Sequence, residues 1–187
     1  IDGHSVTITG KAKGSGLIHP NMATMLGFAA TDARISQPCL DKCLLDAVNR
    51  SFNRITVDGD TSTNDACTLT ATQMADMPEI IDSESSAYKE FAEAINEMMM
   101  ALAQMIVRDG EGATKFVSII VESGQNQAEC LKVANTVALS PLVKTALFAS
   151  DPNWGRILAA VGRAGVENLD INTVSYTHLT LPTSHNV

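Results

Sequence analysis

The sequence predicts a layered α+β fold. Apolar residues make up 45% of the 187 residues, which is enough to build a substantial core. Segments with strand-like alternation and segments with helical periodicity both occur, but they do not follow the strict strand–helix–strand order of a doubly wound parallel sheet. No internal repeat or linker interrupts the chain. We therefore expect one domain, or one large lobe, with helices layered on a sheet.

The first half of the chain contains most of the predicted strands. They are His4–Gly10, Ala23–Ala30, Asn53–Val57 and Ala66–Ala71. The glycine-rich stretch Lys11–Asn21 is predicted to be a loop, and Asp76–Ser86 an acidic loop. A helix is expected to start at Ser36-Gln37-Pro38, because proline is favoured in a first helical turn.

The second half is predicted to be mainly helical. Ala87–Arg108 has apolar side chains at helical spacing and ends before Asp109 and Gly110. Lys115–Val121 is a nearly continuous apolar run, which predicts a buried strand. Further helices are expected in Gln125–Val137, Pro141–Ser150 and Asn153–Val161. Trp154, the single tryptophan, is expected to be a packing anchor.

Composition and charge exclude several classes of function. The net charge of −8 argues against a nucleic-acid-binding protein, and the longest basic cluster is only Lys11 and Lys13. No apolar run is long enough to predict a membrane-spanning helix. Four cysteines occur without a CxxC pair, which predicts buried free thiols in a reducing, cytosolic-type compartment rather than a zinc site. Because the first residue is Ile and no signal peptide follows, we expect a piece of a longer or processed protein.

The stretch HPNMATMLGF places Thr24 where a loop leads into a predicted strand. A threonine hydroxyl is a poor nucleophile unless a base lies beside it. If the Ala23–Thr24 bond is cut, the new α-amine of Thr24, with a pKa of about 7.7 to 8.0, can act as that base. The hydroxyl can itself make the cut by attacking the preceding carbonyl, and the small Ala23 leaves room for the intermediate. From the residues alone, an ordinary threonine at a strand edge remains the favoured interpretation.

Three other polar motifs are candidates for binding. KAKGSG could hold an anion, or bring Lys13 near a carboxylate, but it lacks the order of a P-loop. DGDTSTND resembles the start of a calcium loop, yet Thr63 and Leu69 occupy the positions that need glycine and glutamate. We interpret it as a self-capped polar turn, or as the lining of a polar pocket. Glu111 lies between two glycines and could face a ligand ammonium group, although an exposed turn residue is the simpler interpretation.

Four motifs in order carry a resemblance to a known family. They are KGSGLIHPNMATML, FNRITVDGDTSTND, RDGEGATKF and SPLVKTALFASDPNWGRI, and together they span nearly all of the chain from Ile1 to about Asn172. They resemble the ornithine acetyltransferase family of arginine biosynthesis, also called bifunctional glutamate N-acetyltransferase/amino-acid acetyltransferase.

The resemblance implies specific roles for four residues. It implies self-cleavage at Ala23–Thr24, after which Thr24 is the nucleophile that takes acetyl from N-acetylornithine and passes it to glutamate. Lys13 matches the substrate-binding lysine of the family's KGSG motif, and Glu111 matches the substrate-binding glutamate of its GEGA motif. Thr24 also contacts substrate in this interpretation. The oxyanion-hole Thr-Gly pair of the family is expected upstream of Ile1.

The resemblance also implies the organisation of the protein. Residues 1–23 would end a small subunit, residues 24–173 would begin the catalytic large subunit, and residues 174–187 would be a foreign or disordered tail. The implied fold is a layered sandwich like that of N-terminal-nucleophile enzymes. The implied assembly is α2β2 and the implied location is the cytoplasm. No metal or tightly bound cofactor is implied, whereas acetyl-CoA can serve bifunctional members as an acetyl donor.

Three rival functions remain open at this stage. The acetyl group on Thr24 could be lost to water, which would make the protein an amidohydrolase. The chain could also be an inert fragment without catalytic activity. A polar binding module built on DGDTSTND is the most distant alternative.

Overall fold

A computed structural model describes residues 1–14, 25–60, 65–167 and 169–170, which form two compact units. The first unit is Ile1–Ala113 and the second is Thr114–Val187. The first unit combines a sheet with helices, and the described part of the second is helical. The mixed α+β class predicted from the sequence is therefore confirmed.

The sheet of the first unit has three strands in the order β1-β2-β3. These are β1 (Ile8–Lys13), β2 (Leu26–Thr31) and β3 (Ala66–Ala71). The central strand β2 pairs antiparallel with β1 and parallel with β3. Alternate residues face opposite sides of each strand, so one face carries small or apolar side chains and the other carries most of the exposed ones.

Two helices cover the inner face of this sheet. Helix α1 is Gln37–Arg50, with proline in its first turn as predicted, and helix α2 is Ser86–Arg108. The N-cap of α2 is Ser85, whose hydroxyl accepts a hydrogen bond from the Tyr88 backbone N–H at 3.1 Å. Phe91, Ile95 and Met99 recur on one face of α2 and are almost completely buried in the core of the first unit.

The described part of the second unit contains three helices, all predicted from the sequence. They are α3 (Gln127–Ala138), α4 (Pro141–Phe148) and α5 (Trp154–Gly162). Each begins at a polar cap, Asn126, Ser140 or Asn153, whose side chain accepts a backbone hydrogen bond. A smaller apolar core holds these helices together.

Some predictions about strands were wrong at their ends. Lys11–Lys13 is not loop but the end of β1, which begins at Ile8 rather than at His4. The register with β2 explains this, because pairing continues as far as Lys13. The remainder of the predicted loop, from residue 15, lies outside the described residues. Strand β2 is also not buried throughout, since Phe28 is 55% exposed.

Two predicted strands are absent from the described structure. Instead of the strand Asn53–Val57, the chain forms a 3-10 turn at Phe52–Arg54, directly after α1. Ser51 donates its hydroxyl proton to the Ala47 carbonyl at 2.6 Å and turns the chain there. Lys115–Val121 forms no strand and contains no fully buried residue; Ile119 and Val121 pack against the second core, whereas Ile120 is 79% exposed. Trp154 is 59% exposed, so it is not the packing anchor that was predicted.

Within the described ranges, no helix has both the length and the apolar character needed to cross a bilayer.

Candidate functional site

One end of the sheet brings together segments that are far apart in the sequence. Lys13, the last residue of β1, pairs with Leu26, the first residue of β2. Leu26 in turn pairs with Ala66, the first residue of β3. The three residues therefore form one row across the sheet. Because Thr24 precedes Leu26 by two residues, this row borders the predicted cleavage position.

Ala23 and Thr24 themselves lie outside the described residues. The described chain resumes at Met25, which is bonded to Thr24 and has a buried side chain. The predicted cleavage and the roles assigned to Thr24 therefore stay predictions. What the structure provides is the surroundings of the residue that follows Thr24.

Asp65 holds the backbone of Met25. The Met25 N–H donates to Asp65 Oδ1 at 2.6 Å, and the Met25 carbonyl accepts from the Ala66 N–H at 3.1 Å. Asp65 is half-buried at the start of β3. Burial raises the pKa of the Asp65 carboxyl above its ordinary value, and the hydrogen bond from Met25 acts in the opposite direction. The start of β2 is thus tied to β3 by one charge-assisted and one backbone hydrogen bond.

Helix α2 extends to the same end of the sheet. Its beginning lies beside the chain start, where the Asp2 N–H donates to Glu90 Oε2 at 3.0 Å. Further along, a Cβ built on Gly10 would lie 3.0 Å from the Leu102 side chain. Strand β1 and helix α2 therefore run in the same direction. From Gly10, three strand residues extend about 10 Å to Lys13. From Leu102, six helical residues extend about 9 Å to Arg108 at the end of α2. The two ends therefore lie at the same end of the unit.

Glu111 lies in the turn that follows α2. The Ala113 N–H donates to the Gly110 carbonyl at 2.9 Å, and Gly112 has a φ of 69°, a conformation that favours glycine. Gly110 is buried, and a Cβ there would lie 3.1 Å from Val57, so the turn packs on the segment that leads into DGDTSTND. Glu111 itself is exposed at this end of the unit.

The structure therefore brings together part of the predicted site. Lys13 and Glu111, 98 positions apart in the sequence, lie at the same end of the first unit, and Lys13 pairs with Leu26, two residues after Thr24. Their side chains are both exposed and are not joined by a hydrogen bond or an ion pair. Lys13 points away from α2, because the alternating residues Gly10 and Ala12 face the helices.

Asp65 was not predicted from the sequence to belong to the site. It is the last residue of DGDTSTND, a motif for which the sequence predicts a self-capped turn or a pocket lining. Asp60 does follow the first interpretation, since its N–H donates to Asp58 Oδ1 at 3.1 Å. The available signal for Asp65 was an acidic residue immediately before a predicted strand. Its partner, 40 residues away, could not be read from that signal.

Nothing in the described ranges offers a metal centre. No group of three or more His, Cys, Asp or Glu side chains lies close enough together there to hold a metal ion. All four cysteines are free thiols, but only two are buried as predicted. Cys39 and Cys43 are buried on one face of α1, whereas Cys67 and Cys130 are half-buried. A shallow cavity of about 160 Å³ lies at the opposite end of the unit, near Ile1 and Met77. Its lining includes none of the predicted site residues.

Comparisons with known proteins identify the family. The ArgJ family model matches residues 1–185, so the chain belongs to the ArgJ family. This confirms the family predicted from the four sequence motifs. The chain is 60% identical over 173 residues to the arginine biosynthesis bifunctional protein ArgJ of Pseudomonas fluorescens, and 59% identical over 175 residues to that of Methylococcus capsulatus.

The relatives are much longer than this chain. The alignments cover 92% and 94% of the chain but only 43% of each relative. The chain is also similar to the crystal structure of the arginine biosynthesis bifunctional protein ArgJ from Bacillus halodurans, with a TM-score of 0.73 and 43% identity. That match covers 77% of this chain and 67% of the crystallised one.

Proposed function

We propose that this chain carries the self-cleavage site and the nucleophile of an acetyltransferase of arginine biosynthesis. The observation that supports the proposal is the row Lys13–Leu26–Ala66, which borders Thr24 and lies at the same end of the unit as Glu111. Membership of the ArgJ family supports the assignment to arginine biosynthesis, since the relatives' names describe a bifunctional protein of that pathway. The acetyl transfer itself is proposed from the motif resemblance.

The proposed cleavage is an acyl shift followed by hydrolysis. The Thr24 hydroxyl attacks the Ala23 carbonyl carbon and takes the acyl group from nitrogen to oxygen, leaving an ester. Water then hydrolyses the ester, which frees the Ala23 carboxylate and the α-amine and hydroxyl of Thr24. Thr24 precedes β2 by two residues in the sequence, and a position close to a strand suits this step because attack needs a fixed approach to the carbonyl.

The proposed transfer uses the freed amine as a general base. The amine accepts the hydroxyl proton while the oxygen attacks the acetyl carbonyl of N-acetylornithine. Ornithine leaves with its amine protonated, and an acetyl ester remains on Thr24. The amine of glutamate then attacks this ester and leaves as N-acetylglutamate. Acetyl-CoA could load the same hydroxyl by releasing CoA as a thiol.

Charge complementarity supports the roles of Lys13 and Glu111. The substrates are amino acids that carry carboxylate and ammonium groups, and opposite charges at the end of the sheet can bind both. Since Lys13 and Glu111 are both exposed, their charges are available to a ligand. We propose Lys13 as the partner of a substrate carboxylate and Glu111 as the partner of an ammonium group.

We also propose the organisation implied by the family. The longer protein would complete a layered sandwich over the outer face of the sheet, where Phe28 is exposed at the centre of β2. Residues 1–23 would end the small subunit, residues 24–173 would begin the large one, and residues 174–187 would be a separate tail. Cleaved subunits would assemble as α2β2 in the cytoplasm.

The first experiment is the intact mass of the purified chain beside a Thr24→Ala variant. The proposal expects the unmodified chain to split into residues 1–23 and a piece that begins at Thr24, while the variant stays whole. If both stay whole, the measurement is repeated in the Pseudomonas fluorescens relative with its matching segment replaced by residues 1–173, called here the exchange protein. An exchange protein that also remains uncut would contradict the proposal.

The second measurement separates transfer from hydrolysis. In the exchange protein, the proposal expects ornithine release from N-acetylornithine to depend on glutamate, with the acetyl group recovered on glutamate. Ornithine release at the same rate without glutamate, with free acetate as product, would instead identify an amidohydrolase. Absence of ornithine release from a cleaved exchange protein would favour an inert segment.

A further inference from the structure

The carboxylate of Asp65 binds the peptide group that immediately follows the proposed nucleophile. The N–H it accepts belongs to Met25, and the carbonyl of the same peptide group belongs to Thr24. A peptide group is planar, so the Cα atoms of the two residues lie in one plane with this N–H. A bond to the N–H therefore restrains the orientation of the group to which the Thr24 Cα is attached.

The restraint is stronger than an ordinary strand contact. The acceptor is a carboxylate and the separation is 2.6 Å, whereas the neighbouring backbone bond from Ala66 to Met25 is 3.1 Å. Charge-assisted hydrogen bonds are about twice as strong as neutral ones. Asp65 and Ala66 are consecutive, so adjacent residues bind both the N–H and the carbonyl of Met25. The Met25 side chain is buried, which further restricts the movement of this residue.

The charge on Asp65 is not balanced by an ion pair with any described side chain, although burial disfavours the charged form. A backbone amide is therefore a principal partner of this half-buried carboxylate. The hydrogen bond to Met25 is therefore the contact through which we expect Asp65 to act.

We propose that Asp65 is a positioning residue for Thr24. By holding the Thr24–Met25 peptide group, it restrains the backbone to which the Thr24 side chain is attached, and so helps to hold the hydroxyl within reach of a carbonyl carbon. This inference rests on the proposed role of Thr24 as nucleophile. The same bond serves self-cleavage, where the target is the Ala23 carbonyl, and acetyl transfer, where the target is the acetyl group of the substrate.

The proposal predicts a particular kinetic pattern. Loss of orientation lowers the rate of both chemical steps, because small displacements of a nucleophile reduce the reaction rate strongly. It leaves substrate binding almost unchanged, since Asp65 is not one of the proposed substrate ligands, Lys13 and Glu111. A variant of Asp65 should therefore lower kcat and the cleavage rate together, with little change in KM.

The test uses the exchange protein made by cell-free synthesis, with timed samples weighed for precursor and products. We expect Asp65→Ala to slow cleavage and lower kcat by about 10- to 100-fold, the loss of one charge-assisted hydrogen bond. Asp65→Asn retains an oxygen acceptor of the same shape and should recover most of the rate. Asp60→Ala removes an exposed carboxylate earlier in the same loop and is the matched control, expected to leave both rates unchanged.

A direct readout accompanies the kinetics. Hydrogen exchange of the Met25 amide should accelerate in Asp65→Ala but not in Asp60→Ala. Equal cleavage and turnover rates in these two variants would overturn the proposal, as would a slow Asp65→Ala variant whose Met25 amide is still fully protected. The Thr24→Ala variant separates failure of the proposed function from failure of the Asp65 proposal. If Thr24→Ala is still cleaved and still transfers acetyl, the proposed function is wrong, whatever the Asp65 variants show.

A second comparison covers the case in which Asp65→Ala does not fold. Asp65→Glu keeps the charge but displaces the acceptor by one methylene group, whereas Asp65→Asn keeps the position without the charge. Positioning predicts that Asp65→Asn is faster than Asp65→Glu in both reactions. The opposite order would mean that the charge of the group matters rather than its place, and the proposal would then be wrong.

Discussion

Individual residues at the end of the sheet show how local chemistry positions a candidate site. Gly110 is buried against Val57, and the absence of a side chain there allows the Glu111 turn to pack on the segment that leads to DGDTSTND. The Asp65 carboxylate, at the same end of the sheet, accepts a hydrogen bond from the Met25 N–H. Neither contact resembles a sequence motif, because each joins residues at least 40 positions apart.

The buried thiols predict a loss of stability at alkaline pH. Burial raises the pKa of Cys43 to about 12, with smaller contributions from Asp46 and Cys39, and burial raises that of Cys67 to about 11. Unfolded thiols lose protons near pH 9, so above that pH the native state binds more protons than the unfolded state. The free energy of unfolding should therefore fall by up to about 1.4 kcal/mol per pH unit for each thiol.

Urea unfolding between pH 8 and pH 10.5 measures this slope. Cys43→Ala should reduce this slope by the contribution of one thiol. The variant should be less stable at every pH, because the substitution leaves a small cavity. Cys130→Ala, in the second unit, is the control and should leave the slope of the first unit unchanged. Identical slopes for the Cys43→Ala variant and the parent chain would contradict the prediction.

Among the elements, the helices follow the sequence most closely. Helix α2 runs from Ser86 to Arg108, one residue longer than predicted, because its apolar spacing and its polar cap are both local signals. The observed strands agree less well with those predicted from the sequence. Lys115–Val121 has the composition of a buried strand, yet the described structure gives it no strand partner and leaves Ile120 exposed. A strand needs the backbone of a neighbour, which composition does not supply.

Lys115 illustrates how an element of the second unit is terminated. Its ammonium group donates to the carbonyls of Leu147 and Phe148 and to Ser150 Oγ, each at 2.7 Å. The two carbonyls belong to the C-terminal end of α4, where a positive charge is favourable. A residue predicted to begin a strand therefore caps a helix.

We predict that Lys115→Met destabilises α4 by about 1–2 kcal/mol, because the helix end loses a charged donor while the side-chain stem is retained. Hydrogen exchange of the amides in 141–148 under mild urea measures the effect. Lys132→Met is the comparison, since Lys132 Nζ donates to one carbonyl, that of Gly165 at 2.6 Å, and lies outside α4. If both variants change α4 equally, the capping interpretation is wrong.

On the scale of the whole molecule, the described residues of the first unit leave one face of its sheet uncovered. Phe28 lies in the central strand, paired with Lys11 on one side and Thr68 on the other, and is 55% exposed. The inner face, by contrast, is covered by α1 and α2. Since the relatives are more than twice as long as this chain, the rest of such a protein can cover the outer face.

We predict opposite effects of Phe28→Ser in the two contexts. In this chain alone, the change should reduce aggregation, because it removes an exposed aromatic group from a sheet face. In the exchange protein, it should lower the free energy of unfolding by about 2 kcal/mol, because a buried phenyl group is lost. Met74→Ser, at a residue 80% exposed outside the sheet, is the control. An exchange protein insensitive to Phe28→Ser would contradict a covering layer.

By itself, the sequence determined the family, the α+β class, the positions of the helices, and the residue types that the proposed chemistry needs. These depend on patterns within about 20 consecutive residues, or on motifs read in order. Only the tertiary structure decided that Lys13, Leu26 and Ala66 form one row, that Glu111 lies at the same end, and that Asp65 holds Met25. The physical reason is strand pairing: its register depends on backbone hydrogen bonds between distant segments, and no local pattern encodes the partner.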